Sequence, residues 1–126
     1  MTIPYTNQTA FDKVCERLFD GKGQCIGTES CLYRRSDGNK CAIGYLIEDK
    51  DYDVSIEDSS VKYITLPCYL QEVDLDLLNA LQVVHDKPIH WTVNTFNDYG
   101  LVSLKQVAIA YNLILPDNLK ISLSRR

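Results

Sequence analysis

The stretch with the most chemical potential runs from Cys31 to Asp49 and contains two of the five cysteines and three cations. Its Asp37-Gly38 dipeptide predicts a tight turn, because glycine adopts positive φ without steric cost. Residues 40–47 then fit either a return strand or a short helix. We favour the helix, with Asn39 as its N-cap. The start of a helix presents unpaired amides and a positive dipole end, which attract anions.

Three cations lie close to this predicted helix start. Arg34 and Arg35 leave a short strand, and strand alternation sends their side chains to opposite faces, so only one of them should reach the helix end. We expect Arg34 to do so, because Arg35 lies nearer the turn. The ligand could be a nucleotide phosphate or an acidic side chain of a partner. The predicted ligand-binding residues are Arg34, Asn39, Lys40 and Cys41.

Cys41 has two interpretations. A thiol in the first turn of a helix has a lowered pKa, and with His85 as its base it could be the nucleophile of a small hydrolase. Alternatively, Cys41 is a small buried apolar residue, as free cysteines often are, and the nearby cations form a solvated rim. We favour the buried interpretation and assign no catalytic residue.

The composition predicts one soluble globular domain over residues 1–126, with 45% hydrophobic residues. A formal charge of −4 argues against general nucleic-acid binding, which requires a basic face, although it permits a local basic pocket. No signal-like start and no apolar run of membrane-spanning length are present, so we expect a cytoplasmic protein without membrane association.

No metal, cofactor or intrachain disulfide is expected. The cysteine spacings lack a Cys-x-x-Cys knuckle, and the two histidines are separated by Pro88. The acidic segment 48–60 superficially resembles a calcium loop at Asp49-x-Asp51-x-Asp53. It has Val54 where such loops need glycine and Ser60 where they need glutamate, so we interpret it as a solvated loop.

Three amphipathic helices are predicted. The first runs from a cap at Thr6 or Asn7 to about Phe19, with Arg17 on its solvent face. The second starts at Asp74 or Asp76 and continues to about His85. The third begins at Leu104 after a Ser-x-x-Gln capping box and ends near Asn112.

The other segments are predicted less regularly. Residues 61–66 are expected to be a short strand or an extended chain that ends at Pro67. Residues 91–100 are expected to be a loop or one short helix whose Trp91 and Phe96 fill the core, and residues 119–126 could add an edge strand. The predicted fold class is a helix-dominated α+β domain with one small β-hairpin or sheet.

Several of these segments together resemble a group of small proteins encoded by tailed phages and by prophages. The shared features correspond to Cys31–Arg34, Gly38–Ile47, Leu75–His85, Phe96-Asn97-Asp98 and Leu104–Tyr111. The resemblance covers roughly residues 8–112 and favours a helix after the Gly-x-Lys-Cys turn. It implies no particular activity. It implies a setting inside a bacterium, as an accessory protein that acts on host machinery or host defence.

Three functions are compatible with these features. The first is a binding module that sequesters a small phosphorylated ligand or grips a host protein. The second is the cysteine-dependent hydrolase, and the third is a structural subunit that only assembles. Independently of its function, the chain could form a homo-oligomer. The sequence has no phosphate-cradling glycine loop, no serine elbow and no zinc-protease helix motif. We therefore favour the binding module.

Overall fold

The structure, a computed structural model, describes residues 3–26, 32–57 and 59–116. It contains α1 (Asn7–Leu18), α2 (Ala42–Leu46), α3 (Leu75–Asp86), α4 (Asp98–Ala110), β1 (Trp91–Thr92) and β2 (Thr95–Phe96). Single 3-10 turns span Asp49–Asp51, Val54–Ile56, Val61–Tyr63, Cys68–Leu70 and Pro88–His90. The predicted helix-dominated α+β class is confirmed. The tail at 119–126 lies outside the described residues.

The predicted starts of α1 and α3 are confirmed, because each helix begins at a side-chain cap. The Thr6 hydroxyl accepts from the amide of Thr9, whose own hydroxyl accepts from the amide of Thr6. This reciprocal pair satisfies two donors that the helix leaves unpaired. At α3 the Asp74 carboxylate accepts from the amide of Asp76.

The predicted start of α4 at Leu104 is wrong. Asn97 is the N-cap, and its side-chain oxygen accepts from the amide of Gly100. The helix therefore includes the Ser103 that we expected to precede it. Ser103 instead pairs with His90 through its hydroxyl. The predicted end is confirmed, since Asn112 adopts the left-handed conformation with φ 56.

The regular sheet lies where we predicted a loop or short helix. Trp91 pairs with Phe96 and Thr92 with Thr95, so β1 and β2 form an antiparallel hairpin around Val93 and Asn94. The expected core role of the aromatics is confirmed. Phe96 is buried, and the partly buried Trp91 packs edge-on against it with ring centroids 5.2 Å apart.

The predicted turn at Asp37-Gly38 is confirmed, with Gly38 at φ 93 and the amide of Arg35 bonded to the Asn39 carbonyl. The pairing around this turn is limited to an isolated bridge between Arg34 and Lys40. The helical interpretation of the following segment is also confirmed, as α2.

Most of the described residues between 48 and 60 are exposed, as expected for a solvated loop, but hydrogen bonds attach the segment to the core. The Glu57 carboxylate accepts from the amides of Tyr33 and Arg34, at 2.9 and 3.1 Å, and from the Tyr52 hydroxyl. The Tyr69 hydroxyl donates to Asp51. Residues 61–66 are also not extended throughout, because they begin with a 3-10 turn at Val61–Tyr63.

The core lies between the four helices. α2 packs against both α1 and α3, which also contact each other, and α3 packs against α4. The completely buried residues of the core include Phe11, Val14, Ile43, Leu70, Leu77, Leu78, Leu81 and Leu104. Within the described ranges, every helix is too short or too polar to traverse a lipid bilayer.

Gly44 makes the close packing of α2 possible. A Cβ atom at this position would lie 2.0 Å from the backbone oxygen of Tyr33, which already accepts the amide of Cys41. Since a backbone atom held by a hydrogen bond cannot move aside cheaply, a larger residue must displace α2 from the core.

We expect Gly44→Ala to destabilise the protein by more than about 2 kcal/mol, although alanine favours helices by about 1 kcal/mol over glycine. Urea unfolding measures the change. The control is Ala80→Gly in α3, where propensity alone should cost about 1 kcal/mol. An unchanged or higher stability of Gly44→Ala would contradict the close approach of Tyr33.

Candidate functional site

Arg17 is the most deeply buried charged residue of the described chain, with 1% of its surface exposed. Its guanidinium donates to the carbonyl of Lys40, to the carbonyl of Gly23 at 2.6 Å and to the side-chain oxygen of Asn39 at 2.8 Å. It also forms an ion pair with Asp20 at 3.1 Å. The prediction that this residue faces solvent is therefore wrong. These bonds hold two separate loops at the end of α1.

The two loops and the hairpin tip enclose an open cleft with a volume of about 540 Å³. A smaller cleft of about 60 Å³ adjoins it and shares three of its lining residues. We call the two together the polar cleft. Its walls contain four cations and two carboxylates, namely Arg17, Lys22, Arg35, Lys40, Asp20 and Asp37. The polar cleft is therefore locally cationic, although the chain as a whole carries a charge of −4.

The hairpin tip forms one wall of the polar cleft through Asn94. A Cβ atom at Gly23 would lie 2.7 Å from the Asn94 side-chain oxygen, so the tip packs directly on this glycine. Lys22, Asn94 and Arg17 were not among the predicted site residues. No local motif marks them, because they come from segments that meet only after folding.

The predicted anion site at the start of α2 has the wrong geometry. The N-cap is Cys41, not Asn39, and its sulfur accepts from the amide of Gly44 at 3.2 Å. Asn39 instead uses its side-chain oxygen to bind Arg17. Three further amides find acceptors inside the protein, in bonds from Lys40 to Asn39, from Cys41 to Tyr33 and from Ile43 to Gln82. These amides are therefore not available to an anion.

Arg34 and Arg35 do point in different directions, as alternation predicts, but Arg34 does not reach the start of α2. Its guanidinium lies at the opposite end, where it donates to the Ile47 carbonyl at 2.6 Å and to Asp49 at 2.7 Å. It also stacks 4.8 Å from the Tyr52 ring. Arg35 is the arginine that lines the polar cleft. Of the four predicted ligand-binding residues, Asn39 and Lys40 line the cleft, whereas Arg34 and Cys41 do not.

Cys41 and His85 do not form a catalytic pair. Both are completely buried, and burial raises the pKa of the Cys41 thiol, which is the opposite of the predicted lowering. The two ring nitrogens of His85 are engaged elsewhere. Nδ1 lies 2.8 Å from the Asp86 carboxylate, and Nε2 accepts from the amide of Cys25 at 3.1 Å. His85 therefore has no nitrogen left to activate a thiol.

The structure also brings together Ser103 and His90, a pair that we did not predict. Their separation is typical of a nucleophile and its general base. The Ser103 hydroxyl lies 3.0 Å from Nε2 of His90, whose Nδ1 lies 2.7 Å from the Val84 carbonyl. Because a carbonyl only accepts, Nδ1 carries the proton and Nε2 accepts from the hydroxyl. Ser103 lies within α4, where neighbouring amides are used by the helix and cannot stabilise an oxyanion. We conclude that this pair attaches α4 to the segment that contains His90.

Within residues 3–26, 32–57 and 59–116, no cluster of three or more His, Cys, Asp or Glu side chains could hold a metal ion. The described cysteines, Cys15, Cys25, Cys41 and Cys68, are free thiols. The fold and its site thus define a small helical α+β domain with an open, cationic polar cleft. No protein-family model, curated protein or solved structure matches this chain.

We expect Arg17→Lys to lower the free energy of unfolding by at least about 2 kcal/mol, because one ammonium cannot reach all the acceptors that the guanidinium joins. Urea unfolding measures the loss. The matched control is Arg35→Lys, an exposed site where the same change should stay within about 0.5 kcal/mol. Equal stabilities of the two variants would contradict the structural role of Arg17.

His85 should make stability depend on pH. Burial lowers its pKa from the usual 6.5, an effect that Arg17 reinforces and the bonded Asp86 opposes. The unfolded chain therefore binds this proton more readily, so the stability present above pH 6.5 decreases as the pH falls below that value.

The measurement is the free energy of urea unfolding between about pH 7.5 and 5, where histidine titrates. His85→Gln should reduce the dependence on pH, since glutamine does not titrate. Identical pH profiles would refute the role of His85.

Proposed function

We propose that this protein is a binding module that grips a partner protein by an anionic group held in the polar cleft. The observation that carries the proposal is the exposure of Lys22 and Arg35 at the mouth of a cleft whose walls are already fixed. Arg35 pairs with Asp37 at 3.1 Å, but both side chains are substantially exposed. Such pairs contribute little stability, so the guanidinium can exchange Asp37 for a carboxylate of a partner.

The walls of the polar cleft are held in place before any partner binds. Arg17 joins the loop at Gly23 to the turn at Asn39 from within the protein. A ligand can enter the cleft without breaking these bonds. Gly21 and Gly38 both have positive φ and open space where a side chain would begin. A bound group can thus approach the backbone closely, and little ordering of the loops is needed on binding.

The shape of the polar cleft favours a group on a large partner over a sequestered small molecule. Sites that sequester a metabolite usually enclose most of its surface and are mainly apolar, with a few polar contacts. This cleft is open to solvent, and its larger part is lined by charged, amide and glycine residues. A projecting carboxylate can enter it while the rest of the partner lies across the rim.

The resemblance to small phage-encoded proteins suggests a biological setting for this binding. We propose that the partner is a host protein of the bacterial cytoplasm, such as a defence or regulatory factor that the module antagonises. The hydrolase alternative gains no support from the site, because Cys41 and His85 are buried and otherwise engaged.

The test is affinity capture from a bacterial lysate with quantitative mass spectrometry. The variant Lys22→Gln/Arg35→Gln removes both exposed cations of the cleft. We expect it to lose a captured protein by about tenfold or more, since each charged hydrogen bond contributes about 1.5–3 kcal/mol.

The matched control is Lys62→Gln/Lys105→Gln, which changes the net charge equally at exposed residues outside the cleft lining. It should capture the same protein as the native chain. Equal losses in both variants would indicate non-specific charge attraction and refute the cleft. Native mass spectrometry of the purified protein distinguishes the alternative, because a retained small anion would indicate sequestration of a metabolite.

A further inference from the structure

Val93, at the tip of the hairpin, has a backbone conformation that is unusual for a β-branched residue. It occupies the first position of the two-residue turn between β1 and β2 and has φ 57. Such positions normally hold asparagine, aspartate or glycine, because a β-branched side chain is sterically strained at positive φ. The residue is 90% exposed, so packing within the described chain does not compensate for the strain.

The strained residue stands next to the polar cleft. The following residue, Asn94, lines the cleft and packs on Gly23, so the tip is fixed against the loop that carries Lys22. The hairpin residues around the tip, Thr92, Asn94 and Thr95, are polar and exposed. Val93 is thus an exposed apolar residue among polar neighbours, and covering its side chain would add apolar burial to an interface formed there.

We propose that Val93 anchors the same partner whose anionic group enters the polar cleft, an inference that rests on the proposed function. The partner segment has an acidic side chain, which complements Lys22 and Arg35, and an apolar side chain nearby that covers Val93. Strained backbone of this kind clusters at active sites, ligand clamps and switch regions. The anchor adds apolar burial to an electrostatic contact that would be weak by itself.

The decisive variant is Val93→Gly, which removes the side chain and relieves the strain. Because glycine accepts positive φ, the variant should fold and melt at the same temperature as the native protein or a few degrees higher. A stability-neutral or stabilising change that weakens binding would show that the valine serves the partner. Thermal unfolding of both proteins checks this first part.

The binding part uses two synthetic peptides, each with one central glutamate, flanked by leucines in one peptide and by serines in the other. Titrations followed by NMR give both affinities. The native protein should prefer the leucine-flanked peptide by about tenfold, the effect of covering one valine. Val93→Gly should lose this preference and bind the serine-flanked peptide as the native protein does. Lys22→Gln/Arg35→Gln should weaken the binding of both peptides.

Three outcomes would overturn the anchor. They are equal binding of both peptides by the native protein, an undiminished leucine preference in Val93→Gly, and binding of neither peptide. The capture experiment with the charge variants decides the proposed function separately. A cleft that binds both peptides equally but loses both in Lys22→Gln/Arg35→Gln would retain its anion-binding role without the anchor.

Discussion

The buried guanidinium of Arg17 is the interaction on which the rest of the site depends. A charge removed from water is costly unless hydrogen bonds replace its hydration, and Arg17 obtains them from Lys40, Gly23, Asn39 and Asp20. All four acceptors belong either to the loop that follows α1 or to the turn that precedes α2, and these two loops have no regular backbone pairing with each other. Satisfying one side chain therefore fixes the relative positions of two loops, and their fixed positions create the polar cleft.

The same principle operates elsewhere in the fold. Regular strands are few in the described ranges, so much of the irregular backbone must find side-chain partners, because unpaired buried amides and carbonyls are costly. Glu57 accepts from two consecutive amides in place of a neighbouring strand, and Arg34 donates to the Ile47 carbonyl at the end of α2. His85 fixes Cys25 in a comparable way. Polar side chains thus provide hydrogen bonds that neighbouring strands would supply in a larger sheet.

This construction places the hydrogen-bonded support of Arg17 directly beside the exposed cations of the polar cleft. Loops that carry function are usually held by a stable scaffold, and here α1 supplies it through Arg17. The exposed Arg35 and the strained Val93 contribute little to folding by their contacts, yet both stand at or beside the polar cleft. Most polar groups in the interior are satisfied by partners within the protein, whereas these exposed residues make few contacts that stabilise the fold. This difference is the physical basis for the binding function that we propose.

The sequence by itself determined the fold class and the starts of α1 and α3, because helical periodicity and side-chain caps are encoded within a few residues. It also favoured a helix after the turn at Gly38, which α2 confirms. Only the tertiary structure decided that Cys41 rather than Asn39 caps α2 and that Arg35 rather than Arg34 lines the cleft. Both outcomes depend on distant partners, since Arg17 takes the Asn39 oxygen and Asp49 attracts Arg34. Arg17 itself occupies a position that helical periodicity assigns to solvent, and its burial follows from acceptors that loops bring to it after folding.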